Sequence, residues 1–269
     1  MTTLFPAGVS VDTNTYPVLA ISRDGSTIAF AGASKGVSRL YVRRLGEFDA
    51  HVLPETEGAT APFFSPDSTW IGFFGDGKLK KTPVTGGPVI TLAPGADVRG
   101  GVWTDVDTII FSPNATAPIN EIPASGGASR SVTELDQTRH ERTHRWPSLM
   151  PDQKTVLFNV GNIAHPNDYD EATIEAVRLD TRERRVVIYY LWGTELFAAS
   201  FELSDGLAAG KPRRAFGEAL ALSLDSQQYY DMAPDGRRFL MMRASDDRTV
   251  TPEIRLVLNW FTDLRRTAR

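Results

Sequence analysis

The chain repeats one short pattern along most of its length. Each copy has an apolar strand, a turn that carries Asp, and a second β-rich strand that ends in an aromatic residue or Met. Four copies are clear: AISRDGSTIAF (20–30), FFSPDSTWIGF (63–73), SLMPDQKTVLF (148–158) and DMAPDGRRFLM (231–241). A weaker copy is GVWTDVDTIIF (101–111). A self-repeat of this length constrains the fold more than any single motif does.

The spacing of the repeat predicts the number of units. The aligned aspartates are Asp24, Asp67, Asp105, Asp152 and Asp235, spaced by 43, 38, 47 and 83 residues. The last spacing is close to two repeats, so a degenerate unit is expected around 189–202. Alternating runs such as RLYVRR (39–44) predict further strands in each unit, and a Pro-Asp-Gly type turn joins the first two.

Six all-β units of about 40 residues are typical of a β-propeller. We therefore predict one all-β domain over 1–269, with six blades of about four strands. The blades are expected near 16–58, 59–97, 98–138, 139–185, 186–222 and 223–260. Residues 1–8 are expected to add an outer strand to the last blade and so close the ring.

Composition restricts the functional classes. Of the 269 residues, 41% are hydrophobic and 23% charged, and the formal net charge is −4. This charge gives no footprint for nucleic acid, and no run of 18 apolar residues predicts membrane insertion. The chain has no cysteine, so disulfides and thiolate chemistry are excluded.

Several segments carry a resemblance to a known family. The Pro-Asp repeats resemble the TolB-like (PD40-type) six-bladed propellers. GGVWTDVDTIIFSP, THRWPSLMPDQKTVLF, YDMAPDGRRFLMM and IRLVLNWFTDLRR are similar to propellers attached to bacterial membrane-anchored serine/threonine protein kinases. These propellers are usually longer. Around 184–197 the fourth unit runs directly into the penultimate one, which leaves open whether the fifth blade has all its strands.

The resemblance implies a role and a location. The implied role is that of a sensor or interaction module. The amino terminus lacks the basic and apolar regions of a secretory signal. The location implied by the resemblance is extracytoplasmic, and a cytoplasmic one is expected if the chain is complete as given.

The string HERTH, from His140 to His144, matches the H-E-x-x-H signature of zinc metalloproteases. In those enzymes both histidines lie on one helical face and the Glu is the general base. Here Pro147 follows closely and the segment leads into a strand of the fourth unit, where residues i and i+4 share no helical face. We therefore expect no metal and no cofactor, and His140, Glu141 and His144 are catalytic candidates only in an alternative, hydrolase interpretation.

GASKG (32–36) matches the G-x-S-x-G nucleophile motif, with Ser34 as the nucleophile of that same alternative. The motif requires a strand, a sharp turn and a helix. Ser34 lies instead between two predicted antiparallel strands, so a glycine-rich hairpin is expected. The loop HPNDYDE (165–171) has oxygen ligands for a hard cation but lacks EF-hand spacing, and a solvated hairpin tip is expected there.

Polar and aromatic residues near the starts of innermost strands are the candidate binding residues. Those strands line the central channel of a propeller, and concave sites with a few polar groups are the usual place for a ligand. The candidates are Arg99, Trp103, His144, Arg145, Trp146, Tyr229 and Tyr230. These residues predict a module that binds a protein segment or small ligand at the channel mouth. The alternative interpretation is that Trp103 and Trp146 only fill the channel.

Overall fold

The structure is a computed structural model. It describes residues 2–4, 6, 8–10, 19–47, 49–97, 99–164, 166 and 173–189, followed by the strands 197–198, 201–202, 208–209, 213–214, 230–232, 238–243 and 253–258. Tyr229, Asp235 and all but one residue of the 165–171 loop lie outside these ranges.

The described residues form four-stranded antiparallel sheets, which we call blades. Blade 1 contains β2 (Leu19–Ile21), β3 (Thr27–Ser34), β4 (Val37–Arg44) and β5 (His51–Val52). Blade 2 contains β6 (Thr60–Phe64), β7 (Trp70–Gly75), β8 (Lys78–Pro83) and β9 (Ile90–Pro94). Blade 3 contains β10 (Gly101–Trp103), β11 (Thr108–Phe111), β12 (Asn120–Pro123) and β13 (Arg130–Ser131). Blade 4 contains β14 (Glu141–Leu149), β15 (Thr155–Asn162), β16 (Thr173–Arg178) and β17 (Arg184–Tyr189).

The carboxy-terminal part adds further strands. β18 (Phe197–Ala198) pairs with β21 (Arg213–Arg214), and β19 (Phe201–Glu202) pairs with β20 (Ala208–Ala209). β22 (Tyr230–Met232), β23 (Arg238–Arg243) and β24 (Glu253–Leu258) form the closing sheet. The count of six blades, their boundaries and the strand content of the fifth stay predictions.

The first strands of the blades lie side by side around a centre. β2 contacts β6, β6 contacts β10, and β10 contacts β14, while β22 of the closing sheet contacts β2. β1 (Thr2–Leu4) is the outer strand of the closing sheet, with Thr3 opposite Ile254. The amino terminus thus pairs with the last sheet, and the all-β architecture is that of a β-propeller.

The core lies between the blades. A sheet that is apolar on both faces must be covered on both, and in a ring the neighbouring sheets do this. The repeated aromatics Phe73, Phe111 and Phe158 are each at most 1% exposed and pack into successive clusters between neighbouring blades. Phe30, 3% exposed, stacks on Tyr41 with ring centroids 5.4 Å apart. These aromatics are core residues, as predicted.

The turns after the first strands share one hydrogen-bond pattern, with one exception. In blades 1, 2 and 4 an Asp carboxylate accepts backbone N–H groups two residues further on, as Asp67 does from Thr69 at 3.1 Å. In blade 3 the turn is one residue shorter, because Thr104 bonds Thr108, four residues on rather than five. Asp105 pairs instead with Arg23 of blade 1. The alignment of Asp105 with the other aspartates was therefore wrong.

Helical structure in the described part of the chain is limited to one 3-10 turn, Gln137–Arg139. No helix among the described residues is long and apolar enough to span a membrane.

The ring of Phe63 fills the space beside two glycines, Gly72 and Gly101. A Cβ on Gly72 would overlap the Phe63 ring, and one on Gly101 of blade 3 would lie 2.8 Å from it. We predict that Gly72→Ala lowers the free energy of unfolding by about 1–3 kcal/mol, because Phe63 must leave its packed position. Gly46→Ala, with nothing within 4 Å of the new Cβ, is the matched control. Urea unfolding monitored by fluorescence measures both; equal stability of the two variants would contradict this packing.

The turn aspartates supply a second prediction. Asp67 accepts bonds from the Ser65 hydroxyl and the Thr69 N–H, and these lower the pKa of its carboxyl. Asp67→Ala is expected to cost about 1 kcal/mol at neutral pH, and this difference should shrink as acid protonates the carboxylate. Asp49→Ala, at an exposed position, is the control. An unchanged melting temperature for Asp67→Ala would show that the turn does not need its carboxylate.

Candidate functional site

The HERTH segment is half turn and half strand. The side chain of Asp136 accepts the Thr138 N–H at 2.8 Å and caps the 3-10 turn, which ends at His140 with a left-handed φ of 55°. β14 begins at the next residue, Glu141. His144 therefore lies on extended backbone, as predicted, and the helical face that a zincin motif requires is not formed.

His144 is fully buried, with 0% of its surface exposed. Its Nε2 lies 3.0 Å from Glu141 Oε2, and its Nδ1 lies 2.7 Å from the Thr133 hydroxyl. That hydroxyl accepts the N–H of Ile119 at 3.0 Å, so its own proton is free to point at Nδ1. This pattern assigns a neutral imidazole that donates from Nε2 and accepts at Nδ1. Burial lowers the pKa of His144, which favours the same neutral form.

Two buried carboxylates and two guanidiniums surround this histidine. Glu141 and Glu175 are 2% and 1% exposed. Arg184 bridges both carboxylates. Arg139 bonds Glu175 at 2.6 Å and lies 3.2 Å from Glu141. With His144 neutral, the group has two negative and two positive charges and is balanced.

The charge of Glu141 is fixed by its partners. The backbone N–H of Asp136 also donates to its carboxylate, at 2.8 Å. Burial opposes ionisation, but the hydrogen bonds from His144 and Arg184 bring the pKa of Glu141 down to about 2. At neutral pH, Glu141 is therefore an ionised acceptor and not a general base with a pKa near the working pH.

These residues join blade 3 to blade 4. We call the group the joint; it consists of Thr133, Arg139, Glu141, His144, Glu175 and Arg184. Thr133 and Arg139 lie on the connection between the blades, and the others lie on β14, β16 and β17. The backbone adds to it, because the His144 N–H donates to Ala117 of blade 3 at 3.0 Å and its carbonyl accepts the Ser112 hydroxyl at 2.9 Å.

The joint packs against the apolar side chain of Phe158. The ring of Phe158 lies 4.8 Å from that of His144 and 5.5 Å from the guanidinium of Arg184. Phe158 belongs to the apolar cluster between blades 3 and 4. Within the described side chains, no three His, Asp or Glu groups are arranged to hold a metal ion.

Ser34 ends β3 in a two-residue hairpin. It is paired with Val37 across the turn, and Lys35 and Gly36 have φ values of 52° and 79°. Two left-handed residues in a two-residue loop make the tight turn typical of β-hairpins. The predicted hairpin is confirmed, and Ser34 is not on a strand-to-helix elbow.

Three of the predicted binding residues lie together. The backbone N–H of Trp146 donates to the Arg99 carbonyl at 2.7 Å, and this bond connects β14 to the residues just before β10. The Arg145 guanidinium lies 5.8 Å from the Trp146 ring and donates to the Ala115 carbonyl at 3.1 Å. Arg99, Arg145 and Trp146 are 9%, 5% and 8% exposed, so each presents only a small part of its surface.

A bulge places Trp146. Between Arg145 and Ser148 the register of β14 against β15 shifts, and Trp146 has a φ of 51°. β6 has the same shift between Thr60 and Phe63, with Ala61 at a φ of 49°. An irregularity of this kind re-aims a side chain relative to a regular strand.

The other predicted residues lie elsewhere or outside the described part. Trp103 is 5% exposed in the cluster between blades 2 and 3, edge-on to Phe63, and its indole N–H donates to Asp107 at 2.8 Å. His144 is in the joint. His140 is exposed at the end of the 3-10 turn. Tyr230 begins β22, but only its backbone is described, and Tyr229 lies outside the described residues.

Thr133, Arg139, Glu175 and Arg184 did not figure among the candidates. One signal was present in the sequence: Glu175 interrupts the run TIEAV of β16, where a strand covered on both faces is expected to be apolar. A charge in such a place requires a partner. Its partner Arg184 lies on the next strand, in a run of charges that reads equally well as solvent-exposed.

Comparisons with solved structures agree on the fold. TolB from Acinetobacter baumannii has a TM-score of 0.56 and 14% identity, covering 91% of this chain and 52% of that one. A TolB protein from Agrobacterium tumefaciens has 0.54 and 17%, covering 65% and 67%. A chain of the mitotic checkpoint complex has 0.54 and 14%, covering 96% and 94%. Neither a family model nor a curated protein matches the chain.

This chain therefore spans about half the length of the Acinetobacter protein. Identities this low show the fold alone, and the fold is that of a TolB-like propeller.

Removing one charge from the joint has a predictable effect. Arg184→Ala leaves two buried carboxylates short of a cation, so we expect about 3 kcal/mol lower stability. Arg178→Ala is the matched control on the neighbouring strand, because its partner Asp180 is exposed and such pairs contribute about 0–1 kcal/mol. Urea unfolding at neutral pH compares the two, and a loss below 1 kcal/mol for Arg184→Ala would contradict the structural role of the joint.

Proposed function

We propose that this propeller is a non-catalytic binding module that holds a protein segment at the mouth of its central channel. The observation that carries the proposal is that two HERTH side chains, Glu141 and His144, are engaged in the joint. Both ring nitrogens of His144 are hydrogen-bonded within the protein, and the carboxylate of Glu141 is held between guanidiniums. Groups held in this way are unsuited to bind a catalytic metal or to move a proton.

The position of the candidate mouth residues supports the same proposal. Arg99, Arg145 and Trp146 come together where β10 and β14 meet. Guanidinium groups match carboxylates and carbonyls of a peptide, and arginine and tryptophan are enriched in protein interfaces. A chain of similar fold occurs in the mitotic checkpoint complex, and this likeness supports the proposal of a protein partner.

A defined peptide library tests the mouth. Phage-displayed peptides are selected on the purified chain, and the enriched sequences are titrated against wild type, Arg99→Ala and Arg130→Ala. Arg130, exposed on the outer strand of blade 3, is the control. We expect at least a tenfold loss of affinity for Arg99→Ala, about 1.4 kcal/mol, and none for the control. Equal losses would move the site away from the mouth, and failure to enrich any peptide would reject a protein segment as the occupant.

The alternative, a hydrolase that uses Ser34 or the HERTH residues, makes the opposite prediction for metal content and activity. We expect elemental analysis to find no zinc at equivalence after gel filtration. Hydrolysis of p-nitrophenyl acetate and casein should equal that of Ser34→Ala and should not respond to a chelator or a serine-directed phosphonate. Stoichiometric zinc that is lost in His144→Ala, or turnover that is lost in Ser34→Ala, would make the hydrolase the better proposal.

A further inference from the structure

His144 is a titratable group placed where a positive charge is poorly accommodated. Burial and the guanidinium of Arg184 lower the pKa of His144, whereas the carboxylates of Glu141 and Glu175 raise it, and burial has the largest effect. Charged and polar neighbours come from β14, β16, β17, the 3-10 turn and the connection between the blades, while β15 contributes the ring of Phe158 and, directly opposite His144, Val160. The charged and polar neighbours are Glu141 on β14, Glu175 on β16, Arg184 on β17, Arg139 on the turn, and Thr133 with the backbone N–H of Asp136 on the connection.

The charge balance of the joint explains the difficulty. Glu141 and Glu175 are already matched by Arg139 and Arg184, so a proton on His144 would leave one net positive charge in a site with 0% exposure. Uncompensated buried charge is costly.

The hydrogen bonds oppose protonation as well. A proton on Nδ1 would face the hydroxyl proton of Thr133, which now points at that nitrogen. The hydroxyl would have to rotate and find another acceptor. The closed joint therefore holds the neutral imidazole by geometry as well as by burial.

We propose that the joint is an acid-sensitive latch: mild acid opens the contact between blades 3 and 4 through His144, while the other blades stay closed. The opened segment contains the backbone bond from His144 to Ala117 and is followed directly by Arg145 and Trp146. Opening would thus change the region that the proposed function assigns to a partner. The latch itself does not depend on that assignment.

The direction of the effect follows from proton linkage. The ordinary pKa of a histidine is 6.5, and burial lowers that of His144 in the closed joint. Below 6.5 the opened state binds a proton that the closed state does not, so opening becomes more favourable as pH falls. The opening equilibrium should rise by up to about tenfold per pH unit. The gain is absent above 6.5 and stops once pH falls below the lowered pKa of the closed state.

Other groups act in a different range. Glu141 has an ordinary pKa of 4.5 and a pKa of about 2 in the closed joint. The stability that its ionised form gives to the closed joint is therefore lost only below about pH 4.5. His51 and His140 are exposed, and His165 lies outside the described residues. Between pH 6.5 and 4.5 the joint therefore responds through His144.

Hydrogen exchange on the full chain tests the latch, with peptides followed by mass spectrometry at pH 7.5, 6.5 and 5.5 and rates corrected for intrinsic exchange. We expect peptides covering 132–149 and 173–185 to lose protection by up to about tenfold per unit below 6.5, whereas a blade 1 peptide covering 27–44 keeps its protection. His144→Gln should remove this pH dependence. His51→Gln, at an exposed histidine, should retain it.

Three outcomes would overturn the latch. One is uniform loss of protection over all blades, which is global unfolding. Another is unchanged protection of the joint at pH 5.5. The third is an imidazole NMR signal of His144 that titrates near 6.5 while the joint stays protected. All three are read from the wild-type chain, so the test holds even if His144→Gln does not fold. None of them depends on a peptide binding at the mouth.

Discussion

Each blade of this protein can bury its two faces only against the blades beside it, and the rest of the structure depends on that constraint. In blades 1 to 4, where side chains are described, the apolar clusters are shared between neighbours: Phe73 of blade 2 packs with residues of blade 1, and Phe111 of blade 3 packs with residues of blade 2. Burial of this apolar area is the main stabilising term. It is available only when consecutive sheets stand at a fixed spacing. Gly72 and Gly101 show how tightly the spacing is set, because the Phe63 ring fills the volume that their side chains would occupy.

The contact between blades 3 and 4 is held in a second way. One part of this contact is an apolar cluster that includes Ile110, Ile119 and Phe158. The other part is the ionic joint. Apolar side chains pack without strong directional preference, whereas a bridged set of two carboxylates and two guanidiniums is satisfied in one arrangement only. Buried ion pairs add little net stability, since desolvation offsets their attraction. We therefore assign to the joint the role of fixing how blade 4 is oriented on blade 3, and the interblade apolar packing carries the stability.

The fold could be predicted from the sequence because it is encoded by local patterns. The strand alternation, the Asp-bearing turn and the aromatic position repeat within about 40 residues, and each acts over a few neighbouring residues. The joint could not be found in this way, because Glu141 and its partner Arg184 are 43 residues apart and meet only through the sheet. The same limit explains Asp105. Asp105 matches the repeat in sequence, but the turn of blade 3 is one residue shorter than the others. The Asp105 side chain therefore pairs with Arg23 of blade 1. Local patterns predicted that HERTH leads into a strand, but they carried no information on the residues that surround it.

Function in a repeated fold is expected where the repeat differs from itself. Four residues before each turn, blades 2, 3 and 4 have a left-handed backbone, with φ values of 49°, 90° and 51° at Ala61, Gly100 and Trp146. The backbone requirement is common to the three blades, so it explains the bend but not the choice of side chain. Glycine is the residue that such a conformation favours, and tryptophan is among the least suited to it. A Cβ on Gly100 would lie 3.4 Å from the Trp146 backbone and 3.5 Å from its indole, which is ordinary van der Waals contact and no clash. A bulky residue in this strained conformation is not required by the repeat. At Trp146, therefore, the chain departs from its own pattern.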